Sequence, residues 1–337
     1  MGARALTGTS GGGFDLMSET LSLNGIIENP SVFVLAQRPG PATGLPTWTG
    51  QGDLLMAIHT SHGEFARCVM SASDSDDAFH LMPKAFNIAE EFQTPVIVLT
   101  DKQIAEGIYT QEPYDQTMAT VSRGKLVTSA AALKKLVGTD RYDVHAEDGI
   151  SQRWLPGSNA ATFCAQGDEH SGDGSVDESA ENAVLQMDKR MKKVEALKKV
   201  LPEPELFVIE NGTLRQAQDD RKMENKNTAT DVLFIGWGST KGPMLDVLSE
   251  FSILNSQFSI SYLHYTYMWP MKTERLQELQ KKAKKIVFIE GNYQCQLLQL
   301  LRQVGGISGN YQTILKYDGR PFFYHELHDA ILSHLSV

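Results

Sequence analysis

The chain has 337 residues, 41% of them apolar and 21% charged, near globular averages, which excludes a disordered class and fits two domains. No apolar run approaches the ~20 residues of a membrane helix, and MGARALTGTSGG lacks the charged-then-apolar layout of a signal peptide. A net charge of −10 argues against a nucleic-acid surface. Three scattered cysteines, Cys68, Cys164 and Cys295, form no CxxC. They point to a reducing, cytoplasmic setting and leave the chain without an iron–sulfur or zinc motif of its own.

In chain order, Ala3 to Thr7 predicts a short strand and Gly8 to Gly13 a glycine turn. A helix follows over Phe14 to Asn24, with Gly25 placed to end it. The amino end of such a helix can receive an anion. GTSGGG, however, has neither G-x-G-x-x-G spacing nor Gly-Lys-Ser/Thr, so a plain tight turn is the simpler reading. Val32 to Ala36 is a continuous apolar run, expected as a strand buried on both faces of a parallel sheet.

That strand empties into a loop with three prolines (Pro39, Pro41, Pro46) and three glycines (Gly40, Gly44, Gly52), which should hold it in one shape. Arg38 lies just past the carboxyl end of the strand, where open α/β sheets place ligands. Its planar guanidinium suits a carboxylate or phosphate, and Thr43, Thr47 and Thr49 add hydroxyls. A capped carbonyl or a surface ion pair accounts for Arg38 equally well.

Asp53 to His62 predicts a helix and Arg67 to Ser71 a strand. Ser73 is the expected N-cap of an amphipathic helix, and Pro95 to Asp101 is another doubly buried strand. The alternation predicts a parallel sheet. His59 and His62, with Glu64, have no third ligand in reach, so no metal site is expected. Val121 to Leu126 and Arg141 to Ala146 read as short strands, and Gly167 to Ala180 as a solvated acidic loop without calcium-loop spacing. Glu181 to Val200 is an amphipathic helix whose cluster Lys189 to Lys193 reads most simply as a solvated face. Pro202 and Pro204 open a polar linker through Thr230. A second α/β unit follows, with strands at Asp231–Gly236, Ser259–His264, Lys285–Glu290 and Thr313–Tyr317. Its turn GWGSTKG has the look of a phosphate cradle without the P-loop order.

The stretch Arg38 to Thr47, RPGPATGLPT, with QGDL at Gln51 to Leu54, resembles the signature loop of the α subunit of 2-oxoacid:ferredoxin oxidoreductases, most closely the 2-oxoglutarate type. Blocks at Gly8–Met17, Ala85–Glu90, Pro95–Asp101 and Asp148–Ser151 resemble that family in the same order. So do Asp188–Arg190, Glu290–Tyr293 and Lys316–Pro321, and the resemblance covers nearly the whole chain.

The resemblance implies an α/β fold of two parallel-sheet domains. Residues 1–201 would be pyrimidine-binding-like with a loop and helix extension, 202–230 a linker, and 231–337 transketolase-C-terminal-like. In that last domain a structural role ranks first for GWGSTKG and a coenzyme A phosphate contact second. The implied reaction is oxidative decarboxylation of 2-oxoglutarate to succinyl-CoA, with electrons passed to ferredoxin. Its implied cofactors are thiamine diphosphate with Mg, held mainly by a β subunit that also carries an iron–sulfur cluster, and coenzyme A as co-substrate. A γ subunit is a candidate further partner. By matched loop, Arg38 would bind the substrate carboxylate and Thr47 would hydrogen-bond the substrate. Thr9, Ser10 and Gly11 would lie near the thiamine, and no residue is implied as a metal ligand.

One departure stands out. Family α subunits carry another strand–helix unit before the glycine turn, with a Tyr-Pro-Ile-Thr-Pro-like loop and a glutamate that activates the aminopyrimidine. The present sequence starts inside that domain and has neither. Pyruvate or branched-chain specificity, and a truncated non-catalytic assembly subunit, are the alternatives. Without the resemblance, a nucleotide- or phosphate-binding α/β protein is the remaining one.

Overall fold

The computed structural model describes residues 2–158, 160, 162–210, 212–217, 230–253 and 258–335. The first sheet has the order β1 (Leu6–Thr9), β2 (Ser31–Gln37), β4 (Pro95–Asp101), β3 (Cys68–Ser71), all parallel, and ends in β9 (Tyr267–Trp269), antiparallel to β3. The apolar runs of β2, β3 and β4 are buried almost throughout, as strands covered on both faces must be. Around them lie α1 (Gly11–Asp15), α2 (Ser18–Ile26), α3 (Leu54–His59), α4 (Ser75–Phe92) and the short α5 (Lys102–Glu106). A long excursion adds α6 (Ala130–Lys135) and α7 (Ala180–Val200).

The second sheet runs β11 (Gln312–Leu315), β10 (Ala283–Glu290), β7 (Thr230–Trp237), β8 (Ile260–Tyr265), β5 (Glu205–Glu210), β6 (Thr213–Ala217). Its first four strands are parallel, and β5 and β6 are antiparallel additions. Among the described residues, four helices accompany it: α8 (Lys241–Ile253), α9 (Glu274–Lys282), α10 (Gln296–Gln303) and α11 (Tyr324–Leu335). One buried cluster takes Leu35, Ile97 and Leu54 from the first layer and Leu233, Phe288 and Leu297 from the second, so the two sheets share a core.

Several expectations change. The first strand begins at Leu6 rather than Ala3, because it pairs with Val32 to Leu35 of β2. The single helix over Phe14 to Asn24 is two, and Gly25 lies inside α2 instead of ending it. A Cβ there would stand 2.4 Å from the Phe65 ring, so Gly25 is required by close packing. Asp74, not Ser73, caps α4 by accepting from the Asp77 amide at 2.7 Å; Ser73 instead donates to the Asp77 carboxylate. Neither Val121–Leu126 nor Arg141–Ala146 forms a strand; only an isolated bridge links Leu126 to Arg153. Inside the stretch read as a linker, β5 and β6 form a hairpin on the edge of the second sheet, because Leu206 and Phe207 enter its core.

The largest reversal concerns α7. Its buried stripe is Gln186, Lys189, Arg190, Lys193 and Leu197, while Val184 and Leu185 are exposed. Lys189 and Lys193 both pair with Glu28, which is fully buried at the end of α2 with φ of 51°. Arg190 makes a bidentate pair with Glu169 at 2.9 and 2.6 Å, which draws the expected solvated acidic loop onto the helix. A buried carboxylate has inverted the apparent amphipathicity.

Candidate functional site

The carboxyl ends of β1, β2 and β4 lie side by side, Thr9 paired with Leu35 and Gln37 with Asp101. The glycine turn and the Arg38 loop therefore leave the same edge of the sheet. Ser10 is extended at the start of α1 and makes no side-chain cap bond. A Cβ at Gly13 would stand 1.9 Å from Thr9 Oγ1, so the Thr9 side chain is folded against the turn. At Gly12 a Cβ would meet nothing within 4 Å, so that part of the turn faces open space.

The loop is shaped by its backbone. Gly40–Pro41 is cis, and Gly44 has φ of +53°, with a Cβ position only 1.8 Å from Pro39 O. Only glycine fits there. The Leu45 amide donates to Pro39 O at 2.9 Å and closes the turn.

The second domain clamps the loop from the other side. Gln51 is buried: its Nε2 donates to Trp237 O at 2.8 Å, and its Oε1 accepts from the Gly291 amide at 2.7 Å. Its own amide donates to Gly291 O at 2.9 Å, and Asn292 Nδ2 donates to Gln51 O at 3.1 Å. Gln296 bonds both Gly52 O (2.7 Å) and the Leu55 amide (3.0 Å), and the Arg320 guanidinium lies 3.1 Å over the Trp48 ring. Asn292 and the Leu297 amide are themselves fixed by the buried Glu290 carboxylate, which also accepts from Trp237 Nε1 at 3.0 Å. Thus Glu290–Tyr293 and GWGSTKG both serve to position the loop. A Cβ at Gly238 would stand 2.7 Å from Gln51 Nε2, Ser239 donates to the buried Asp101, and Thr240 turns back to Trp237 O. Protein packed against Gly236 and Gly238 accounts for those two glycines, whereas a Cβ at Gly242 would meet nothing within 4 Å.

At the base of this loop Arg38 is half-buried and makes no hydrogen bond or ion pair among the described residues. Thr43 and Thr47 are exposed higher on the loop, and Thr49 is buried. The structure thus brings Arg38 and the Thr9–Gly11 turn to one edge and leaves Thr47 on the outer surface.

Asp53, part of the matched loop but given no role from sequence, joins the same edge. Its Oδ2 has no hydrogen-bond partner and stands 3.3 Å from where a Cβ on Gly11 would be. Burial pushes its carboxyl up to about 6, helped by Asp15 and opposed by the Arg38 charge. The available signal was its position, four residues past Thr49 at the start of a helix. His59 and His62 are exposed, and among the described residues no three His, Cys, Asp or Glu side chains gather as a metal site. Nor is any described helix long and apolar enough to cross a membrane.

A glycine turn open at Gly12, an uncommitted guanidinium and a poised carboxyl can receive an anionic ligand. Residues 1–189 match the family model for pyruvate flavodoxin/ferredoxin oxidoreductase, thiamine diphosphate-binding. The α subunit of 2-oxoacid:ferredoxin oxidoreductase 1 from Sulfurisphaera tokodaii is 36% identical over 334 residues, covering 98% of this chain and 48% of that one. The 2-oxoglutarate oxidoreductase subunit KorA of Mycobacterium tuberculosis is 28% identical, covering 97% of this chain and 45% of its own length. The chain spans about half the length of the curated relatives it matches. A solved 2-oxoglutarate:ferredoxin oxidoreductase from Magnetococcus marinus, with 2-oxoglutarate, coenzyme A and succinyl-CoA bound, superposes with a TM-score of 0.84 at 28% identity, covering 99% of this chain and 54% of that one. Carrying that match over more than half of its length, this chain belongs to the thiamine diphosphate-binding pyruvate flavodoxin/ferredoxin oxidoreductase family.

Proposed function

We propose that the chain provides the substrate-carboxylate site of a 2-oxoacid:ferredoxin oxidoreductase, acting as its α-type subunit on 2-oxoglutarate in the cytoplasm. The observation that carries this reading is Arg38: a half-buried guanidinium without an ion pair, at the carboxyl edge of a parallel sheet, on a loop that a second domain clamps. A cation left unpaired at such a place is suited to hold an incoming carboxylate. Thr47, exposed on the outer part of the loop, is assigned to the same ligand by the matched loop alone, and pyruvate or branched-chain acids are the competing substrates. The solved relative with 2-oxoglutarate bound and the KorA relatives support the dicarboxylic acid.

The residues present fit a thiamine. The open glycine turn offers Thr9, Ser10 and Gly11 along one side, and the unpartnered Asp53 Oδ2 faces the same turn. When bound, the thiamine supplies the carbanion-stabilising centre that no side chain offers. As the resemblance implies, a β subunit would hold the iron–sulfur cluster, the diphosphate and its Mg; the three cysteines of this chain fall short of the four thiolates such a cluster takes. Electrons then pass to ferredoxin, coenzyme A accepts the acyl group, and a γ subunit is a further candidate partner.

The test is to purify the chain with the subunits that accompany it and follow coenzyme A-dependent reduction of a viologen dye by 2-oxoglutarate. Arg38→Ala should lower kcat/KM at least about a hundredfold while assembly and melting temperature stay unchanged. Undiminished turnover in that variant would remove Arg38 from the site.

A further inference from the structure

The amino-terminal edge of the first sheet, opposite the Arg38 loop, holds a second concavity. It has a volume of about 210 Å³ and lies where Gly2 and Ala3 lead into β1 and Asn29 and Pro30 lead into β2. Arg123, Arg141 and Arg153 line it together with the carboxylates of Glu28 and Glu90, and Ile27, Tyr142, Trp154, Leu155 and Phe163 add apolar surface.

Arg141 and Arg153 are more than nine-tenths buried as residues, and each carries an N–H with no acceptor among the described residues. Arg141, 5% exposed, donates from Nη2 to Glu28 O at 3.3 Å and is flanked by the Tyr142 and Phe163 rings at 4.8 and 5.9 Å. Its Nη1 has no partner. Arg153, 8% exposed, pairs with Glu90, yet its Nε has none.

The surrounding charge does not balance. Glu90 faces Arg153, Arg123 and Arg4, and Glu28 faces Lys189, Lys193 and Arg141. That is six cations around two carboxylates, with Glu91 acting on Arg4 from outside. Burial, with a lesser push from Arg123, lowers Arg4; burial, with a lesser push from Arg4, lowers Arg153; and burial, with Lys189 and Arg141 against the pull of Glu28, brings Lys193 down to about 8. Nearby, Glu169 is committed to Arg190 and Asp148 to Lys125. Burying an excess of one sign is costly unless a counter-ion arrives.

We propose that this cavity binds a small organic dicarboxylate, whose two carboxylates meet the free N–H groups of Arg141 and Arg153 while its carbon chain lies against Tyr142 and Trp154. At about 30 Å³ per water the volume equals about seven waters, enough for a di-acid of about five carbons. The site is separate from Arg38 and holds whatever the reaction of the chain proves to be.

Glutarate, its neutral diamide and inorganic phosphate are the probes, with the purified chain followed by calorimetric titration and thermal melting. Glutarate at a hundredfold excess over its Kd should raise the melting temperature by about 5 °C, and the diamide should not. Arg141→Met should abolish that rise and Arg38→Ala should leave it intact. Should Arg141→Met not fold, Arg123→Gln at the rim should weaken the glutarate Kd at least about fivefold. No heat and no shift with glutarate, or an equal shift with the diamide, would overturn the proposal. So would an equal response to phosphate, which would mark an adventitious ion only. Loss of the response in Arg38→Ala would place the acid at the opposite edge of the sheet, overturning this site while supporting the Arg38 reading.

Discussion

Glu28 and Asp53 are two buried carboxylates at opposite edges of one sheet, and the protein treats them in opposite ways. Burial disfavours the charge on both. At Glu28, Lys193, Lys189 and Arg141 reverse that penalty, and its pKa falls well below the ordinary range. At Asp53 the cation acting is Arg38, which forms no ion pair with it among the described residues, and the neighbouring Asp15 adds repulsion. The pKa of Asp53 rises to about 6. Glu28 therefore fastens α7 to the sheet, whereas Asp53 stands against Gly11 of the turn without being bound to Arg38. Commitment at the amino edge and its absence at the carboxyl edge separate holding the fold together from receiving a ligand.

Removing the anion at the committed edge gives the largest effect. Glu28→Gln leaves Lys189 and Lys193 buried without their counter-charge and should cost about 3–5 kcal/mol, seen as a large drop in the denaturation midpoint. Replacing all three residues by methionine should restore much of that loss. If Glu28→Gln alone were harmless, the contrast between the two edges would collapse. An intermediate effect is expected at the clamp. Gln51→Ala strips the Gly291 amide and Trp237 O of their buried partners and should cost about 2 kcal/mol. Hydrogen exchange should then speed up selectively over the Arg38 to Asp53 loop, with α7 left as protected as before.

How far the sequence could lead differs between these regions. The runs VFVLA, PVIVLT, DVLFIG and KIVFIE are strands because uninterrupted apolar, β-branched stretches have one natural use in a parallel sheet. The prolines and glycines after Gln37 likewise announce a fixed loop, and Gly44 confirms why. What holds that loop was not legible: Gln51 meets Gly291 across 240 residues, and no local pattern encodes such a meeting. The stripe Lys189, Arg190, Lys193 has helical spacing, but spacing alone cannot say that a buried Glu28 waits beneath it. Composition puts lysines outside; one carboxylate in the core puts two of them inside. The same holds for β9, whose three residues cross from the second half of the chain to finish the first sheet. Asp53 was visible as a letter in a motif, and its meaning came only from the unpaired oxygen and the glycine opposite.

The smallest effect, and the most discriminating, is the pH dependence of these two carboxyls. Asp53 has a folded-state pKa of about 6, above the 3.8 of an unperturbed aspartate. Between those values the folded chain holds a proton there that the unfolded chain has released. The contribution of Asp53 to stability is therefore most favourable below about pH 4 and declines as the pH rises through 6. Glu28 has the opposite sign: its contribution is full above the ordinary glutamate range and is lost only in strong acid, as the pH falls toward its depressed pKa. Asp53→Asn, neutral at every pH, should consequently melt a few degrees higher than the parent chain at pH 7 and lose that advantage by pH 4. Arg38→Ala should deepen the effect, because the one charge that favours the ionised Asp53 is gone. Melting curves of the parent and the two variants from pH 4 to 8 decide it. A flat difference between parent and Asp53→Asn would mean that Asp53 titrates like a surface aspartate, and the carboxyl edge would then be no more poised than the rest of the surface.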